Sequence, residues 1–114
     1  MNNLRNRVML IGRLGKEPEV RTLENNKKVV RMSLATDDDY IDKEGQKVKS
    51  TEWHNLVVWG TGLCDICEKY LTKGKEIAVE GKITYHNWDD KDGKTHCDAE
   101  INVSNLLFMG AKGD

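Results

Sequence analysis

At 114 residues the chain fits one domain, large enough to bury a core without disulfides or a metal and too small for two. A composition of 32% charged and 38% hydrophobic residues, with ten glycines against one proline, excludes collagen-like and disordered classes. The formal charge of −1 gives no global basic field, yet the first 31 residues hold eight basic against three acidic side chains, a local balance of +5 that keeps a basic face possible.

No apolar run approaches a membrane span, and Val8-Met9-Leu10-Ile11 is too short and too soon followed by Arg13 for a secretory signal. A cytoplasmic protein with no membrane partner is expected. Three cysteines, an odd count, predict reduced thiols rather than a disulfide framework.

In chain order, residues 5–14 alternate around Val8, Leu10 and Ile11 and read as a first strand bent at Gly12. Lys16-Glu17-Pro18 interrupts, Val20-Arg21-Thr22-Leu23 is extended, and Glu24-Asn25-Asn26-Lys27 has turn chemistry. Residues 28–36 form a strand with Val30, Met32, Leu34 and Thr36 on one face and Val29, Arg31, Ser33 and Ala35 on the other. Asp37 to Lys47 reads as a projecting polar hairpin that carries Tyr40.

The strand from Val48 to Trp59 places Trp53, Asn55, Val57 and Trp59 on one face and Glu52, His54, Leu56 and Val58 on the other. Two tryptophans on one side of a strand, taken alone, favour a core face, with a ligand face as the alternative. A helix over residues 62–71 comes next, with Leu63, Ile66, Cys67, Tyr70 and Leu71 at helical spacing and Lys73-Gly74 as the stop. Residues 76–85 alternate cleanly as a half-buried strand, Asp92-Gly93 signals a hairpin turn just after Trp88, and residues 95–107 form the last strand. There Cys97, Ala99, Ile101 and Val103 are expected on the apolar face. The fold class is thus all-β with one helix. Three strands, a helix and two strands match a five-stranded Greek-key barrel of the OB type with long β-hairpin loops, a fold that binds oligonucleotides or oligosaccharides. Residues 1–110 are assigned to it, and 111–114 to a short C-terminal remnant.

Tyr40, Trp53, Trp59 and Trp88 all fall on elements such a barrel offers to a ligand, and a base stacked on a ring gains about 1–3 kcal/mol whatever its identity. Interleaved with them are the phosphate candidates Arg7, Arg13, Arg21, Arg31, Lys43, Lys49 and Lys73. Cys64-Asp65-Ile66-Cys67 has CxxC spacing with Cys97 downstream, so a small zinc or redox protein is an alternative from another class. It requires the helix and the last strand to converge, whereas Cys67 and Cys97 already sit at apolar positions. The chain has no P-loop lysine after Trp59-Gly60-Thr61-Gly62, and Asp37-Asp38-Asp39 lacks calcium-loop spacing. His54 has no nucleophile motif beside it and reads as a packed histidine. No catalytic residue, cofactor or resident metal is expected.

The chain resembles the bacterial single-stranded DNA-binding proteins, the SSB family, through Asn6-Arg7-Val8-Met9-Leu10-Ile11-Gly12-Arg13-Leu14-Gly15, Pro18-Glu19-Val20-Arg21, Leu34-Ala35-Thr36, Thr51-Glu52-Trp53-His54, Tyr70-Leu71 with Lys73-Gly74, and Glu80-Gly81. The resemblance implies an OB-fold homotetramer, bacterial and nucleoid-associated, that wraps single-stranded DNA without sequence preference in replication, recombination and repair. It implies stacking by Trp53 and Trp88, by Trp59 where relatives commonly hold Phe, and by Tyr40 where they commonly hold Trp. It further implies subunit contacts through the first strand, with Val8 and Leu10, and through His54. Asn55, Thr84 and His86 stand where relatives often carry Arg. Relatives usually continue into a flexible tail with an acidic tip that recruits replication and repair proteins, so that recruitment is expected only if the native chain carries such a tail. A primosome-like or RNA-binding OB module is the alternative within the same fold.

Overall fold

The computed structural model describes residues 4–109. The expected remnant at 111–114 therefore lies outside the described residues. Among the described residues eight strands and one α-helix are arranged in the order β1 (Val8–Leu14), β2 (Glu19–Thr22), β3 (Lys28–Asp37), β4 (Tyr40–Ile41), β5 (Lys47–Val48), β6 (Thr51–Trp59), α1 (Thr61–Tyr70), β7 (Glu76–Asp89) and β8 (Thr95–Phe108), with one 3-10 turn at Glu24–Asn26 between β2 and β3. Strands β1, β7, β8, β6 and β3 pair in that order, and β1 pairs again with β3, so five strands close into a ring. β2 adds to the outer edge of β3 with Val20 opposite Val30, and β4–β5 is a separate two-stranded hairpin. The expected OB barrel is present, with its helix between the third and fourth barrel strands. Among the described residues no helix is long and apolar enough to cross a membrane.

Closure depends on β1 turning from one neighbour to the other. Gly12 still faces Ile77 of β7, whereas Arg13 and Leu14 also reach Ala35 and Leu34 of β3. A Cβ on Gly12 would lie 2.2 Å from the Ala35 carbonyl oxygen, so only glycine permits this approach. The bend expected at Gly12 is thus the barrel seam.

Alternation does the rest. Val30, Met32 and Leu34 from β3, Leu56 and Val58 from β6, Ile77 and Val79 from β7, and Ile101 and Val103 from β8 fill the interior. Truncating one of these, such as Leu34, to Ala is expected to cost about 2–5 kcal/mol. α1 covers the barrel through Cys64 and Cys67, with Leu71 just beyond it. Two sequence expectations are corrected here. Ile66 and Tyr70 of the predicted helical stripe are exposed, because the contact runs through the narrower 64–67–71 line. Cys97 and Ala99 are exposed although they share the face of Ile101 and Val103, because the ends of β7 and β8 project past the barrel as a two-stranded ribbon with no core beneath them.

Candidate nucleic-acid interface

Paired residues on neighbouring strands point to the same side of a sheet, so the register maps the outer face directly. Asn55 pairs with Glu100 and Val57 with Asn102; Glu100 in turn pairs with Thr84, Asn102 with Lys82, Asp98 with His86 and His96 with Trp88. Trp53 and Trp59 flank Asn55 and Val57 on the same side of β6. All three tryptophans therefore stand on one outer face spanning β6, β8 and β7. Trp53 is 60% exposed, Trp59 52% and Trp88 42%, which decides the ambiguity of the β6 pair in favour of a surface platform. The opposite face of β6 supplies Leu56 and Val58 to the core.

Each ring is held by a different device. Trp53 lies over Gly15, where a Cβ would meet the indole at 2.3 Å. Trp59, across from Val29, walls a cleft of about 350 Å³ shared with Arg7, Glu80, Lys82, Asn102 and Asn105. Trp88 stacks on His96 at 4.4 Å between centroids and donates its indole N–H to Asp98 at 2.8 Å. Tyr40 is 53% exposed on the β4–β5 hairpin, opposite Val48.

The basic candidates divide into two groups. Arg31 pairs with Glu100 at 2.8 Å, Arg7 pairs with Glu80, and Arg13 donates to the Gly74 carbonyl at 3.2 Å. Arg21, Lys43, Lys49 and Lys73 are exposed and, among the described residues, make no ion pair. The Arg31 side chain is 52% exposed while Glu100 is mostly covered, so the guanidinium keeps a solvent-facing side that a phosphate can reach. Lys28, which the candidate set omits, is committed: its hydrogen bonds to Asp65 and then Glu68 push its pKa up to about 12.

His54 is half-buried, its Nε2 2.9 Å from the Thr36 hydroxyl, as expected for a packed histidine. Val8 and Leu10 turn inward and pack against the core, leaving Met9 (65%) and Ile11 (51%) as the exposed apolar side chains of β1. Cys64 and Cys67 lie buried one turn apart on α1, and Cys97 stands elsewhere, exposed on β8. Cys64 donates to the Val58 carbonyl at 3.2 Å, burial pushes the Cys67 thiol up to about 11, and Cys97 lies on the projecting ribbon opposite Asn87. The convergence of helix and last strand that the zinc alternative requires is absent: among the described residues no group of three or more His, Cys, Asp or Glu side chains could hold a metal ion.

Three contributors escape the sequence reading. Gly15 under Trp53 and the Asn102–Lys82 wall beside Trp59 depend on long-range pairing and leave no local signal. His96 does leave one: counting outward from Asp92-Gly93 sets it directly across from Trp88.

A closed five-stranded barrel whose outer sheet face carries exposed rings among basic side chains, flanked by two long hairpins, defines an OB-fold of the nucleic-acid-binding type. The model of the single-strand binding protein family matches residues 5–109, and the chain belongs to that family. It is 42% identical over 108 residues to single-stranded DNA-binding protein 1 of Chlorobaculum tepidum, covering 94% of this chain and 66% of that protein. It is 39% identical over 110 residues to single-stranded DNA-binding protein 1 of Xylella fastidiosa, covering 96% of this chain and 80% of that protein. Among solved structures it matches the Plasmodium falciparum SSB complex with single-stranded DNA at a TM-score of 0.85 and 33% identity, covering 92% of this chain and 95% of the other. A deletion mutant of the Thermus aquaticus single-stranded DNA binding protein matches at 0.78 and 27% identity, covering 95% of this chain and 52% of that one.

Proposed function

We infer that this chain binds single-stranded DNA without sequence preference and is not an enzyme, and that it protects and organises the strand during replication, recombination and repair. The observation that carries this reading is the single outer face bearing Trp53, Trp59 and Trp88. Rings stack on any base because every base presents a π-face, so such a platform holds a strand without reading its sequence. Arg21, Lys43, Lys49 and Lys73, joined by Arg7, Arg13 and Arg31, supply the phosphate contacts.

Titration with oligo-dT tests this reading. Tryptophan fluorescence should fall on binding, and log K should fall with log salt with a slope of about −0.7 per phosphate contacted. An unchanged emission spectrum at saturating oligo-dT would sink it.

The assembly is a homotetramer in this reading, with β1 at the subunit contacts. Met9 and Ile11 of β1 lie beside Ala78, which pairs with the 63% exposed Leu107, an apolar strip of the kind that another protein surface covers. Val8, Leu10 and His54 support that contact from behind or beside it. Sedimentation of the protein and of Ile11→Lys should show the variant dissociating.

A further inference from the structure

Glu100 is an acidic side chain in the middle of the face that carries the rings. It lies across from Asn55 of β6 and Thr84 of β7, neither of them charged, and its side chain is only 17% exposed. A covered carboxylate is an unfavourable neighbour for a polyanion unless a cation compensates it. That cation comes from two strands away, where Arg31 of β3 donates to Glu100 Oε2 at 2.8 Å. Directly beside it Arg31 has Val57 of β6 and Glu19 of β2, and Glu19 pairs with Lys16 at 3.2 Å. The guanidinium therefore crosses β6 to reach β8, above Val57, which is 2% exposed although it points outward.

We propose that Glu100 is a positioning residue that holds the Arg31 guanidinium between Trp53 and Trp59, as a fixed seat for the phosphates of a strand stacked on both rings. The inference rests on the reading of this face as the DNA platform. Trp53 and Trp59 are six residues apart on β6, with Asn55 and Val57 between them on the same side. At about 3.4 Å per residue the two rings emerge about 20 Å apart, so a strand with a base on each carries its intervening phosphates over the guanidinium.

The guanidinium has five N–H donors in a planar fork, and the bond to Glu100 leaves others for a phosphate. Half the Arg31 side chain stays open to solvent to receive it. Anchoring the fork before DNA arrives removes part of the rotamer freedom that a loose arginine loses on binding. The charge of Glu100 works against phosphate while its hold on the fork works for it. Glutamine separates the two, because it keeps the acceptor and drops the charge.

The experiment is a fluorescence titration of the full chain with oligo-dT over a series of salt concentrations, on wild type, Arg31→Ala, Glu100→Gln, Glu100→Ala and the two Glu100 variants combined with Arg31→Ala. Loss of Arg31 should make the slope of log K against log salt shallower by about 0.7, the share of one phosphate. The two Glu100 variants lose the same charge and differ in the acceptor, so Glu100→Gln should bind about three- to tenfold more tightly than Glu100→Ala. In the Arg31→Ala background that difference should vanish. Equal affinities of Glu100→Gln and Glu100→Ala overturn the positioning role and leave the carboxylate as a charge alone. A difference that persists without Arg31 overturns it too, since Glu100 would then act through the sheet. An unchanged salt slope in Arg31→Ala removes the phosphate seat. Wild-type protein that binds no oligo-dT at any salt concentration would instead overturn the DNA-binding reading beneath it.

Discussion

In the first hairpin Tyr40-Ile41 leads into Asp42, whose Oδ1 accepts the backbone N–H groups of Glu44 and Gln46; in the second, Trp88-Asp89 leads into Asp90, which does the same for Asp92 and Lys94. Both turns close with paired backbone bonds, Asp42 with Gln46 and Asp90 with Lys94, around glycines at φ 79° and 82°. The local chemistry is one design used twice, with an aromatic two residues before the aspartate. The strands behind the two turns differ. The first hairpin pairs only two residues a side, and Tyr40 faces Val48. The second continues 14-residue barrel strands, so Trp88 meets His96 and Asp98 and is fixed. A turn sequence sets where a ring emerges, while the length of the strands behind it sets how firmly the ring is held.

Removing the rings tests this contrast most severely. Trp88→Ala and Trp53→Ala should each weaken oligo-dT binding by about 1–3 kcal/mol while leaving thermal unfolding and assembly unchanged, since both rings are exposed. Unfolding of Trp53→Ala, in place of weakened binding, would return that ring to a structural role. Next in size is Gly15→Val, which drives a side chain into the Trp53 ring. Affinity should drop toward that of Trp53→Ala, and adding Trp53→Ala to it should then cost little more, the non-additivity expected of residues in contact. Tyr40→Ala should cost less than Trp88→Ala, at or below about 1 kcal/mol, because an unfixed ring loses side-chain freedom on binding. An equal loss at both positions in the same titration would erase the distinction between the hairpins.

The smallest effect concerns acid. The hydrogen bond with His96, and then the backbone N–H groups it accepts, hold Asp90 below the usual carboxylate range. A depressed folded-state value contributes stability that is fully present above the ordinary aspartate value of about 3.9 and is lost as pH falls through the lower folded one. Amide exchange at Asp92 and Lys94, corrected for the intrinsic pH dependence, should therefore show protection through pH 5 that fades below about pH 4.

The strands and their order were legible because each barrel strand alternates with period two and each hairpin carries its own turn residues. Asp92-Gly93 and Gly45 mark turns by a need for positive φ that is local. The β6 pair shows where such reading stops. Alternation puts Trp53 and Trp59 together on one face but does not say which face meets the barrel, a matter settled by Leu56 and Val58 packing inward with Ile101 and Val103.

The element types, the barrel order, the common turn of the two hairpins and the set of candidate rings were all present in the sequence, because they depend on backbone geometry within a few residues. Tertiary packing was needed to decide which arginines are engaged, since Arg31 finds Glu100 69 residues away, and how far the core extends, since Cys97 and Ile101 share a strand face and only Ile101 has a barrel beneath it. It also decided that Trp53 rests on Gly15 and Trp88 on His96. Burial and pairing depend on what the rest of the chain places opposite a residue, and periodicity carries no information about that.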